Sequence, residues 1–102
     1  MLPRLSAKTE EHVAALFPAE STDEVDDLLL YQCGNNLPFC ENSDEFQLER
    51  IRFAALKLSR GDIQKLRDAI KLAQTDWRDL LVSAGFAHDV NAHKRWSPSV
   101  SA

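Results

Sequence analysis

The sequence predicts an all-α domain, a single compact bundle of five to six short helices around a central helix at about residues 44–60. Three observations predict it. Apolar residues recur at spacings of three and four along most of the chain, which lines up one face of a helix. Gly34, Gly61 and Gly85 each follow such a segment, where glycine can take the left-handed conformation that ends a helix. Residues 44–60 are apolar on two sides, the pattern of a helix buried between neighbours. At 102 residues the chain is read as one domain, 1–102, with a modest core. Residues 1–8 and 97–102 are expected to fray.

Ser6 or Thr9 begins the first helix, and Val13, Leu16 and Phe17 give it a narrow apolar edge. Pro18 ends it, because proline pushes the preceding residue out of the helical region. Ala19–Ser21 are expected to turn the chain, with Ser21 or Thr22 capping a second helix. That helix opens with Asp23, Glu24, Asp26 and Asp27, a solvated N-terminus suited to the helix dipole. Val25, Leu28, Leu29 and Cys33 form its inward face. The following loop, Cys33 to Cys40, carries Asn35 and Asn36, which tolerate turns and bond locally to the backbone.

In the central helix Leu48, Ile51, Ala55 and Leu58 share one face, and Phe46, Phe53 and Leu56 form a second patch. Asn42 or Ser43 caps it, Asp44 and Glu45 lie in its first turn, and Lys57 and Arg60 lie in its last. Asp62 caps a further helix with Ile63, Leu66, Ile70 and Ala73 inward, and Thr75 or Asp76 caps another that carries Trp77, Leu80, Leu81 and Ala84. The short links favour antiparallel or sharply turned packing. Asp89 caps a short helix, Val90–Trp96, with Trp96 folding back as a hydrophobic latch.

Composition narrows the class. Hydrophobic content of 44% and charged content of 27% are those of a soluble globular protein. The N-terminus has no apolar core of signal-peptide length, and no run reaches membrane-spanning length, so a cytoplasmic protein without membrane partners is expected. Residues 1–49 hold two basic and eleven acidic residues, a net charge of −9, whereas residues 50–102 hold ten and five, a net of +5. The two halves can pair within one molecule or between chains.

The side chains offer four kinds of site. Cys33 and Cys40 can bridge their loop in principle, but without a Cys-x-x-Cys motif two reduced cysteines are the simpler reading. His88, Asp89 and His93 are candidate metal ligands if helical, since Asp89 and His93 stand four apart. Zinc sites need three or four ligands, so a helix-stabilising Asp–His pair is the plainer account, and no cofactor is expected. A helical hairpin at 62–84 has the outline of a nucleic-acid reader. Its second helix offers only Arg78 as a cation, so nucleic acid is not the expected partner. Phosphate loops, dinucleotide fingerprints and nucleophile elbows are absent.

Association is the fourth. Leu30, Leu72 and Val82 each fall off the main apolar stripe of their helix and are candidates for a surface that meets another chain. The leading expectation is a small helical interaction or regulatory protein, partnered by another protein chain or by itself, and not an enzyme. The alternative is a small-molecule-binding or enzymatic domain with a pocket bounded by Tyr31, Cys33, Asn35, Asn36 and Trp77. A nucleic-acid-binding helical protein is the third reading, and it requires a continuous basic stripe from Lys57, Arg60, Lys65, Arg67, Lys71 and Arg78.

Overall fold

The computed structural model describes residues 5–34, 45–89, 91–96 and 98, and every regular element among them is helical. These are α1 (Ala7–Leu16), α2 (Ala19–Gln32), α3 (Glu45–Ser59), α4 (Ile63–Ala84) and a C-terminal 3-10 turn (Ala92–Arg95). The all-α class is as expected, but the count is four α-helices and not five or six.

Ser6 caps α1, its Oγ accepting from the Thr9 amide at 3.1 Å. Leu5 is buried and Lys8 already helical, so residues 5–8 belong to the fold and are not loose. Phe17 is extended, as a residue before proline must be. The second helix then starts at Ala19, ahead of both expected caps, Ser21 and Thr22. Pro18 stands in the cap position without a side-chain bond, and the Ser21 amide donates to its carbonyl. Proline's fixed φ already suits helix entry, so Ser21 and Thr22 are not needed as caps. Thr22 Oγ1 instead donates to the Ala19 carbonyl.

Seven consecutive residues of α3, Arg50 to Leu56, are buried. The helix packs most extensively on α4 and also touches α1 and the 3-10 turn, while α2 packs on α1 and α4. It ends one residue earlier than expected, because Arg60 (φ 51°) and Gly61 (φ 82°) are both left-handed. The expected caps Asn42 and Ser43, and Asp44, lie outside the described residues.

A straight α4 would carry Ala84 about 30 Å from its start. Yet Lys57 Nζ, six residues before that start, donates to the Ala84 carbonyl at 2.7 Å. The helix is therefore folded back, and the bend is at Asp76 (φ −160°, ψ 102°). Asp76 Oδ1 accepts from the Arg78 amide at 3.0 Å, so it caps the second half. The two expected helices are joined by one non-helical residue and form a single broken element.

Three cations of α3 serve the ends of other helices. Arg52 Nε is shared between the Leu29 and Cys33 carbonyls at 3.2 Å each. Arg50 Nη2 donates to the Phe86 carbonyl at 2.8 Å, and Lys57 reaches Ala84. Unpaired carbonyls and the negative end of the dipole collect at helix C-termini, where cations stabilise. Lys57 stands in the last turn of α3, as expected, and also closes the end of α4. The last element is a 3-10 turn from Ala92, shorter than the helix expected over Val90–Trp96; Val90 lies outside the described residues. No described helix is long and apolar enough to cross a membrane.

Candidate functional site

Along α1, Lys8, Glu11, His12 and Ala15 stand at i, i+3, i+4 and i+7 and share one face. On α3, Glu49 and Phe53 are four apart and also share a face. The C-terminal segment adds Lys94, Trp96 and Pro98. Together these residues line a cleft of about 490 Å³. α1 packs on α3 and the 3-10 turn packs on α3, so α3 brings the other two walls together.

The floor is made of rings. His12 and Phe53 have centroids 4.5 Å apart, tilted by 54°, and His12 meets Trp96 edge-on at 5.2 Å. Phe53 and Trp96 are 6.0 Å apart. Beneath them His93 is fully buried, its ring 5.5 Å from Phe53, 5.1 Å from Phe46 and 6.4 Å from Phe86. Offset and edge-to-face contacts of this kind stabilise beyond the area they bury.

His12 is 7% exposed. Burial lowers its pKa first and the nearby positive charge of Lys8 second, against a weaker opposite pull from Glu11 and Glu49. The ring is therefore neutral at pH 7, with one nitrogen donating and one accepting. Among the described residues nothing hydrogen-bonds to it. The rim carries Lys8, Lys94, Glu11 and Glu49. Among the described residues no ion pair joins these four, the ion pairs being Arg67–Glu24, Arg78–Asp76 and Arg95–Asp89. Lys94 Nζ rests 4.8 Å above the Phe46 ring.

A second groove, about 470 Å³ between α2 and α4, has most of its polar groups engaged. Gln74 donates to the Gln32 carbonyl at 3.0 Å, Gln64 to Asp68 at 3.2 Å, and Arg67 pairs with Glu24 at 2.6 Å. Among the described residues no hydrogen bond or ion pair joins the charged groups of the first cleft to one another, whereas those of the groove are largely engaged.

The residues singled out from sequence fall elsewhere. Tyr31 is 55% exposed, Cys33 is buried and Trp77 is half-buried against the core. None of the three lines the first cleft, and Asn35 and Asn36 of the expected pocket, with Cys40, lie outside the described residues. Leu30 and Leu72 pack half-buried on the core, whereas Val82 is 65% exposed. His88 is exposed, and Asp89 accepts from the Asn91 amide and Arg95 Nη2, contacts that hold its pKa below the ordinary range. Asp89 and His93 do not share an α-helical face, because only Ala92–Arg95 is helical and that turn is 3-10. Among the described residues no three His, Cys, Asp or Glu side chains are grouped to hold a metal ion. Lys57, Arg67 and Arg78 of the basic stripe are each bonded within the molecule.

Sequence reading missed the cleft. In sequence His12 stands 76 residues before His88, the next histidine, and Phe53 reads as core. The available signal was a histidine flanked by opposite charges on one face of α1. No family model matches the chain, and no curated protein or solved structure matches it, so the chemistry of the cleft rests on its own residues.

Proposed function

We propose that the protein is a small helical recognition module that binds a partner non-covalently in the cleft between α1, α3 and the C-terminal segment. One observation carries this reading. A buried neutral histidine with unused hydrogen-bonding capacity lies beside two aromatic rings under a rim of mutually unpaired charges. Small-molecule sites have this composition, and 490 Å³ falls in their usual range of about 300–1,000 Å³. A cytoplasmic setting fits this reading and is part of the proposal.

The test is a fragment screen followed through backbone amide resonances of the uniformly labelled protein. Expected are shifts at Lys8–Ala15, Glu49–Phe53 and Lys94–Trp96, reduced for all fragments by His12→Gln. Shifts confined to the α2–α4 groove, or none at all, would sink the reading.

Self-association through α4 is a second reading, supported by the exposure of Val82. Native mass spectrometry over a range of concentrations checks it. A dimer that Val82→Asp abolishes supports it, and a monomer throughout rejects it.

A further inference from the structure

We infer that the ligand of the cleft is a small aromatic zwitterion, of the chemical class of a free aromatic amino acid. The inference rests on the binding reading above and adds the ligand's chemistry. The floor comes first. Phe53 and His12 are 2% and 7% exposed and Trp96 is half-buried, so the Trp96 ring offers the larger surface to a flat apolar group, backed by the His12 and Phe53 rings it meets at 5.2 and 6.0 Å.

The rim supplies the rest. Two ammonium groups, Lys8 and Lys94, and two carboxylates, Glu11 and Glu49, border the same space. A ligand with one charge meets two attractive and two repulsive groups there. A ligand carrying both a carboxylate and an ammonium offers each sign a partner. Neutral His12 fits either end, since it can donate to a carboxylate or accept from an ammonium. Lys8, Glu11 and Lys94 are exposed and Glu49 half-buried, so their heads can turn toward a ligand without unfolding anything. Their exposure also limits the gain, because an exposed ion pair contributes little.

The experiment compares three probes of one shape: L-phenylalanine (both charges), phenethylamine (cation only) and 3-phenylpropanoate (anion only). Binding is followed at pH 7.5 through the amide resonances of His12, Phe53 and Trp96. L-Phenylalanine should bind about 5-fold more tightly than either analogue, the upper range for one exposed charge pair. Glu49→Gln should erase its advantage over 3-phenylpropanoate, and Lys94→Met its advantage over phenethylamine, with unchanged circular dichroism showing that both variants fold. Equal affinity for all three probes, or a preference for a singly charged one, overturns the inference. So does failure of all three while other fragments still shift the cleft, an outcome that leaves the recognition module standing. A fragment screen with no response at the cleft overturns both.

Discussion

Gly61 and Gly85 both end helices in the left-handed region, but they meet different surroundings. A Cβ on Gly61 would come within 2.7 Å of the Leu16 carbonyl oxygen, so this glycine also lets α1 approach the end of α3. A Cβ on Gly85 would meet only Lys57 Nζ, at 3.7 Å. Gly85→Ala therefore carries the left-handed penalty alone, about 1 kcal/mol. Gly61→Ala adds a clash with backbone that cannot rotate away, and about 2–3 kcal/mol is expected. Urea denaturation of the two variants checks the order, and equal losses would mean that the α1–α3 approach is looser than described. The left-handed role of both glycines is legible in sequence, because each follows a periodic segment. The crowding at Gly61 is not, since Leu16 is 45 residues earlier in the chain.

At the scale of elements, α3 holds its neighbours by two means. Its apolar faces pack on α1 and α4, and its cations close the ends of α2 and α4. Arg52 is the clearest case. It is 5% exposed, burial lowers its pKa, and its guanidinium fills the space that a side chain on Gly34 would need, 2.8 Å from Nη2. Arg52→Met would keep most of the apolar stem but leave the Leu29 and Cys33 carbonyls without this donor. A loss of about 1.5–3 kcal/mol is expected, the range for hydrogen bonds from a charged group. Arg52→Lys should recover little, because an ammonium lacks the planar fork. Thermal unfolding of both variants separates the two effects, and full recovery by lysine would assign the role to charge alone. The apolar periodicity of α3 made the helix readable. The destinations of Arg50, Arg52 and Lys57 were not, because they depend on which helix ends arrive beside it.

At the scale of the whole molecule, the ion pairs among the described residues do not chiefly join the acidic half to the basic half. Among the described ion pairs only Arg67–Glu24 joins the two, while Arg78–Asp76 and Arg95–Asp89 lie within the C-terminal half. Two buried or part-buried groups set opposite pH dependences. The pKa of His12 is lowered on folding, so the unfolded chain takes up its proton first as pH falls. Its contribution to stability is complete above about pH 6.5 and is lost as pH falls from there toward the folded value. The pKa of Asp26 is raised, by burial first and then by Glu10, Asp23 and Asp27. The folded chain then holds the extra proton, and stability is lost as pH rises from about 3.9 through the folded value. His12→Phe should make the fall in melting temperature from pH 7.5 to 5.5 shallower. Asp26→Asn should raise the melting temperature at pH 7, with the gain shrinking below pH 4. A steeper acid limb in the first variant, or a lower melting temperature at pH 7 in the second, would reverse these assignments.

By itself the sequence determined the helical class, the burial of the middle of α3 and most helix ends, because apolar periodicity, caps and glycine stops act over a few residues of chain. Tertiary structure decided the cleft. Lys8, Glu11 and His12 become a wall only where α1 lies on α3, and Trp96 closes it only where the C-terminal turn folds back onto Phe53. His12 and Phe53 are 41 positions apart, Phe53 and Trp96 43, and His12 and Trp96 84, and no local pattern of side chains specifies which surfaces will meet.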